Sequence, residues 1–134
     1  MKKIILDTNF LMIPLQFRVD IFSEFERICN FNYKLCIFEE TISELRGIMN
    51  NPNSSGKDKK AAEFALKLIK LKNINMIKSE KKDVDSLILE NMGKYDYIAT
   101  QDKQLKRELV KKGVSLIALR KKKYLILNER KLYK

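Results

Sequence analysis

The segment KIILDTNF (residues 3–10) decides the fold of this chain. It is a short apolar run that ends directly at an aspartate, Asp7. A run of this length is typical of a strand buried on both faces of a parallel sheet. Ligand sites in such sheets lie just beyond the carboxyl ends of the strands. Asp7 is therefore expected at the edge of the sheet where a site would form.

The same alternation of apolar run and helical pattern continues along the chain. Apolar runs predict five strands, at residues 3–6, 34–38, 74–77, 97–100 and 114–119. Helical spacing of apolar residues predicts helices at residues 17–29, 39–49, 58–71, 84–92 and 104–112. Strands that alternate with helices predict an α/β protein with a mostly parallel, five-stranded sheet.

The length of 134 residues suits one domain with a single core. Residues 1–119 carry the alternating pattern, and residues 120–134 form a basic C-terminal extension of the same domain, in which Tyr124–Leu127 is apolar enough to pack or to add an edge strand. No stretch approaches the length of a membrane span, and the first apolar run is too short for a signal peptide. We expect a cytoplasmic protein with no membrane partner.

The two cysteines and the absence of histidine exclude several kinds of site. Cys29 and Cys36 cannot complete a zinc quartet, and we expect both to be reduced residues of the core. Without histidine, a serine triad, a histidine-pair nuclease and a zinc protease are also excluded. The sequence has no GxxxxGK[ST] phosphate loop, and its single acid after the first strand argues against a receiver-type signalling domain.

The positive charge is concentrated towards the C-terminus. The chain has 28 lysines and arginines against 17 acids, for a formal net charge of +11. Residues 103–134 contain twelve of the basic residues and only two acids, Glu108 and Glu129. A solvated surface is one explanation of this surplus. The uneven distribution favours attraction to nucleic acid.

Four acids stand where an apolar run ends or a helical pattern begins: Asp7, Glu44, Asp85 and Asp102. Each alone has an ordinary structural explanation, as a helix cap, a turn residue or a solvated side chain. Together they are expected at one edge of one sheet. Carboxylates brought together repel one another unless a cation lies between them. Oxygen ligands of this kind suit Mg²⁺ or Mn²⁺, which can activate water without a histidine base.

The segments around these acids resemble the PIN domain family of metal-dependent ribonucleases. They occur in the family's order and cover most of the chain: LDTNFLM, ISEL, DVDSLI and IATQDKQLK. The tail GVSLIALRKKKYLI is similar to the branch of the family that processes ribosomal RNA in archaea and eukaryotes. The resemblance implies a three-layer α/β/α sandwich in which residues 1–119 form the nuclease domain.

The resemblance also implies the roles of individual residues. Asp7, Glu44, Asp85 and Asp102 would be the catalytic acids and the ligands of Mg²⁺ or Mn²⁺. Asn9 and Thr100 would support them by hydrogen bonding. Asp83 is a less favoured substitute for Asp85, and Asp96 is interpreted as structural. Ser86 departs from the paired acids usual in the branch, which leaves open whether one metal ion or two are bound.

The function implied is endonucleolytic cleavage of single-stranded RNA, with a ribosomal RNA precursor as one target. Two alternatives stay open: the toxin ribonuclease of a toxin–antitoxin pair, with an antitoxin as partner, and an RNA-binding assembly factor with weak or no cleavage. A homodimer is possible in each case. The residues expected to bind RNA are Arg46, Lys57, Lys59, Lys60, Lys103, Lys106, Arg107 and Arg120.

Overall fold

The strands form where the short apolar runs occur. The protein is described by a computed structural model that covers residues 1–129. Arg130, Lys131 and Lys134 of the predicted basic extension lie outside the described residues. The strands are β1 (Lys2–Leu6), β2 (Tyr33–Phe38), β3 (Asn75–Ile77), β4 (Tyr97–Ala99), β5 (Ser115–Arg120) and β6 (Tyr124–Asn128).

The helices connect these strands. They are α1 (Ile13–Phe17), α2 (Ile21–Ile28), α3 (Glu39–Asn50), α4 (Gly56–Leu71), α5 (Val84–Asn91) and α6 (Lys103–Lys111). Short 3-10 helices precede α1 (Asn9–Met12) and follow α5 (Met92–Lys94). Among residues 1–129, no helix combines the length and the apolar character needed to cross a membrane.

The sheet has the strand order β3-β2-β1-β4-β5-β6. Its first five strands are parallel, and β6 pairs with β5 in the antiparallel direction. The predicted α/β class and the parallel sheet are confirmed, but the sheet has six strands rather than five. The additional strand comes from the apolar part of the predicted extension, which turns back along β5 because residues 121–123 form a turn.

Helices cover both faces of the sheet. Alternate residues of β1 point to opposite sides: Ile4 and Leu6 belong to one buried cluster, with residues of α2, α3 and α4, and Ile5 to the other, with residues of α5 and α6. This arrangement is the three-layer sandwich that the sequence implied. It brings the starts of α3, α5 and α6 to the same edge of the sheet, beyond the carboxyl ends of the strands.

The predicted helix at residues 17–29 is wrong at its beginning. Phe17 ends α1, and Arg18 has a φ of 54°, a left-handed conformation that breaks the helical path. The carboxylate of Asp20 then accepts hydrogen bonds from the amides of Phe22 and Ser23 and caps α2. Pro14 at the start of α1 was the available sequence signal, because proline favours the first turn of a helix.

Both cysteines are free and buried, as predicted. Asp96 is bound at the amino ends of the strands, where its carboxylate accepts the amide of Lys3 at 2.7 Å. This contact agrees with the structural interpretation of Asp96. It places Asp96 at the edge of the sheet opposite to Asp7.

Candidate active site

Asp7 is the most buried of the predicted acids, with 3% of its surface exposed. It follows β1 directly, at the carboxyl edge of the sheet. The amide of Thr8 donates to Asp7 Oδ1 at 2.8 Å, and the hydroxyl of Thr100 donates to Asp7 Oδ2 at 2.7 Å. Thr100 follows β4, the strand beside β1, and is fully buried. The two neighbouring strand ends therefore fix both oxygens of this carboxylate.

Glu44 reaches the same edge from the second turn of α3. The hydroxyl of Thr8 donates to Glu44 Oε1 at 2.7 Å, and the amide of Val84 donates to Glu44 Oε2 at 2.9 Å. Thr8 thus contacts Asp7 through its amide and Glu44 through its hydroxyl. The carboxylate of Glu44 joins the turn after β1 to the start of α5.

Asp85 lies in the first turn of α5 and is half-buried. Its carboxylate has no hydrogen-bond partner among residues 1–129. The neighbouring Asp83 is the cap of α5: its carboxylate accepts the amide and the hydroxyl of Ser86, at 3.2 and 2.7 Å. Ser86, which departs from the paired acids of the resemblance, therefore serves in capping, and the carboxylate of Asp83 is engaged in this cap.

Asp102 caps α6 and is linked to Asp7 through Thr100. Its Oδ1 accepts the amides of Gln104 and Leu105, at 2.9 and 3.0 Å, and its own amide donates to the Thr100 hydroxyl at 3.1 Å. The alternative explanation of Asp102 as a helix cap is thus correct for one of its two oxygens. The same residue can fill both roles because a cap uses only one oxygen.

Asn9 connects the turn after β1 to the segment after β4. Its side-chain oxygen accepts the amide of Gln101 at 3.3 Å, and its main-chain carbonyl accepts the side-chain amide of Gln101 at 3.1 Å. These bonds hold the segment that carries Thr100 and Asp102 against the segment that carries Asp7.

The acids influence one another's ionisation. Burial raises the pKa of Asp7 from 3.8 to about 6, and the charges of Asp85 and Glu44 add to the rise, while the hydrogen bond from Thr100 opposes it. Burial also raises the pKa of Asp85, helped by the charges of Asp102 and Glu44. The four predicted acids therefore share one electrostatic environment, as expected for residues that converge at one edge.

The donor atoms fit a hard cation in their chemistry, because all are oxygens and their charges repel one another. Within residues 1–129, however, no three acidic or cysteine side chains lie close enough together to hold an ion between them. Protein donors already bind both oxygens of Asp7, both oxygens of Glu44 and one oxygen of Asp102. An ion could therefore be held here only after side chains move from these positions.

A family model described as a PIN-like domain matches residues 4–122. The chain belongs to the PIN-like domain family. The resemblance seen in the sequence is thereby confirmed.

Known relatives agree with this assignment over almost the full length of the domain. The chain is 32% identical to a protein named Ribonuclease VapC4 from Methanocaldococcus jannaschii over 127 residues, which cover 92% of this chain and 95% of that protein. The structure is similar to that of the PIN domain endonuclease Utp24, with a TM-score of 0.78, 19% identity, and coverage of 98% and 96% of the two chains. It is also similar to a domain of a functionally unknown protein from M. jannaschii, with a TM-score of 0.58, 15% identity, and coverage of 100% and 99%.

The basic residues predicted to bind RNA are spread over several surfaces of this PIN-like domain. Lys103, Lys106 and Arg107 occupy the first turns of α6, beside Asp102. Burial and the charge of Lys103 lower the pKa of Lys106, while the charge of Asp102 opposes this. Arg120 ends β5 and is exposed at the carboxyl edge of the sheet.

The other predicted RNA-binding residues lie elsewhere. Arg46 follows Glu44 by two residues, which turns it about 200° around α3. It lines a surface cavity with Ile69 and Met76 rather than facing the acids. The remaining lysines lie in the first turns of α4, near the contact between Gln16 and Asp58. They are Lys57, Lys59 and Lys60.

Three residues of the site were not predicted. Thr8 bonds to both Asp7 and Glu44, and Gln101 binds Asn9. Both are direct neighbours of predicted residues, so adjacency was the available signal. Glu108, whose charge contributes to the raised pKa of Asp85, lies six residues after Asp102 and gives no such signal.

Proposed function

We propose that this PIN-like domain is a metal-dependent endoribonuclease that hydrolyses phosphodiester bonds in single-stranded RNA. The observation that carries the proposal is the buried Asp7 carboxylate, which is held by two threonines and raised in pKa beside other acids. Burial and the neighbouring acids raise the pKa values of Asp7 and Asp85, so the charges of these two residues oppose folding and are not explained by stability. The likeness to a protein named Ribonuclease VapC4 supports the same chemistry.

The cofactor of the proposed reaction is Mg²⁺ or Mn²⁺. Asp7 and Asp85 would hold the ion, with Asp102 contributing the oxygen that does not cap α6, and Glu44 completes the group of acids. The bound ion would polarise the attacking water and neutralise charge on the phosphate. Thr100 and the amide of Thr8 orient the Asp7 carboxylate for this purpose.

The RNA would be held by charge rather than by base recognition. Lys103, Lys106 and Arg107 lie beside Asp102, where they can bind phosphates on either side of the cleaved bond. Arg120 at the same edge extends this positive surface. Contacts of this kind set affinity and salt dependence without selecting a sequence.

The first experiment is the cleavage of labelled structured and unstructured RNAs in the presence of Mg²⁺, Mn²⁺ or EDTA. We expect metal-dependent cleavage of the unstructured RNA, and loss of that cleavage in Asp7→Asn. Asp96→Asn is the matched control, because it removes an aspartate from the opposite edge of the sheet. Cleavage that survives in EDTA, or in Asp7→Asn at the rate of the unmodified protein, would contradict the proposal.

The role of this activity in the cell separates the remaining alternatives. The tail resemblance favours a ribosomal RNA precursor as the target, which predicts cleavage of a precursor transcript at a defined position. A toxin would instead arrest the growth of the cells that express it, and a small antitoxin partner would relieve that arrest. An RNA-binding assembly factor would bind RNA without measurable turnover and would not bind Mn²⁺ in a calorimetric titration.

A further inference from the structure

The contacts of Glu44 connect two helical layers across the edge of the sheet. Glu44 belongs to α3, which packs on one face of the sheet, whereas Val84 begins α5 on the other face. Its two oxygens are bound by different segments, Oε1 by the Thr8 hydroxyl at 2.7 Å and Oε2 by the Val84 amide at 2.9 Å. The orientation of this carboxylate is therefore set by protein donors.

Besides Glu44, the start of α5 is held by its cap at Asp83 and by the burial of Val84 in the core. The chain leaves β3 at the edge of the sheet and crosses to the opposite layer through residues 78–83, nearly all of which are exposed. The ion pairs that Lys82 makes in this segment join only nearby residues, Glu80 and Glu90. The amide of Val84 is in the first turn of α5, where no helical carbonyl is available to it. Glu44 supplies the missing acceptor.

We propose that Glu44 is a positioning residue and not a metal ligand. By tying the turn after β1 to the start of α5, it sets where Asp85 stands relative to Asp7. Asp85 is the residue next to Val84, and its carboxylate is free of hydrogen bonds within residues 1–129. This inference rests on the proposed metal-dependent function, in which Asp7 and Asp85 hold the ion.

Three substitutions separate a positioning role from a ligand role. Glu44→Gln removes the negative charge but keeps both contacts, because its oxygen can accept the Val84 amide and its NH₂ group can donate to the Thr8 hydroxyl. Glu44→Ala removes both contacts. Thr8→Val keeps all four acids and the size of the side chain, but it removes the hydroxyl that holds Glu44.

The first measurement uses the metal-free protein in EDTA, so that it does not depend on activity. Amide hydrogen exchange of Val84, followed by NMR, should be faster by about tenfold in Glu44→Ala, the equivalent of one hydrogen bond. Thr8→Val should show a change in the same direction, and Glu44→Gln should remain close to the unmodified protein. Unchanged exchange at Val84 in Glu44→Ala would overturn the proposal.

The second measurement is the affinity for Mn²⁺ by calorimetry, with RNA cleavage as a parallel readout. Loss of a residue that supports a metal ligand commonly costs about 10–100-fold in affinity or activity. We expect losses of this size in Glu44→Ala and Thr8→Val, and a markedly smaller loss in Glu44→Gln. If Glu44→Gln loses as much affinity as Asp7→Asn, the charge of Glu44 is required and the positioning role is refuted.

The proposed function and the positioning role of Glu44 can be refuted separately. If the unmodified protein does not bind Mn²⁺, or if Asp7→Asn cleaves RNA normally, the proposed function is wrong. The exchange of the Val84 amide then still decides whether Glu44 anchors α5. Circular dichroism of each variant establishes that the fold is retained before the affinities are compared.

Discussion

Replacing Asp7 by asparagine is expected to abolish cleavage and, in the absence of metal, to make the protein more stable near neutral pH. Asp7 is almost fully buried, and its pKa rises from 3.8 to about 6 on folding. The folded protein therefore holds this proton more tightly than the unfolded chain does. The resulting stabilisation is complete below about pH 4 and is lost as the pH rises through about 6.

The size of the effect follows from the pKa and from the hydrogen bonds of Asp7. At about 1.4 kcal/mol per pH unit, ionisation of Asp7 costs the fold about 3 kcal/mol. Asparagine avoids this cost and can still accept the Thr8 amide, but its NH₂ group faces the Thr100 hydroxyl, which must turn to accept it. One altered hydrogen bond costs about 1 kcal/mol, which leaves a net gain of about 2 kcal/mol.

Urea unfolding followed by circular dichroism, in EDTA, measures this difference across the range from about pH 4 to about pH 8. The free energy of unfolding of Asp7→Asn should lie below that of the unmodified protein by no more than about 1 kcal/mol at the acidic end, and above it by about 2 kcal/mol beyond about pH 6.5. Asp96→Asn controls for the removal of one negative charge. A difference that is independent of pH, or an Asp7→Asn protein that is less stable than the unmodified protein above about pH 6.5, would refute the reasoning.

Three further predictions concern residues around the site and at the edge of the sheet. Thr100→Val removes the hydroxyl bonded to Asp7 at 2.7 Å and should lower the free energy of unfolding by about 1–3 kcal/mol in urea titrations, while moving the acidic limb of the cleavage profile to higher pH. Arg27→Met removes the 2.8 Å bond from α2 to the backbone of β6 and should lower the free energy of unfolding, with faster amide exchange in β6 and unchanged cleavage. Lys103→Gln should reduce the slope of log affinity for single-stranded RNA against log salt by about 0.7, whereas Lys67→Gln, on α4, should leave it unchanged.

The sequence predicted the strands and the edge of the sheet at which the acids lie, because both depend on local patterns. Each buried strand needs an apolar run, and a polar residue directly after such a run must lie at the carboxyl edge. Asp7 and Thr100 could therefore be placed without knowledge of distances. The prediction succeeded best where burial on both faces of the sheet left few alternatives.

The sequence was less informative where a few residues determine which of two backbone conformations forms. The helical spacing of apolar residues continues through Phe17 and Val19, although Arg18 adopts a left-handed conformation between them. The strand β6 was only one of two predicted possibilities, because an apolar segment of this length can pack or pair equally well. Its position is fixed by distant partners: Glu24 and Arg27 of α2 bind the amide and the carbonyl of Leu125. Contacts between residues about 100 positions apart leave no local pattern in the sequence from which they could be predicted.

The site itself shows why the presence of an acid does not reveal its role. Asp7, Glu44 and Asp102 all carry carboxylates at one edge, yet their oxygens have different partners. Asp7 is buried at a cost to stability that grows as it ionises, which is the behaviour of a group retained for its charge. Glu44 and Asp102 instead accept amides from the starts of α5 and α6, which stabilises those helix ends. A neutral side chain in place of Asp7 should therefore raise the free energy of unfolding. A neutral side chain in place of Glu44 should leave the free energy of unfolding unchanged, provided that it can still accept a hydrogen bond.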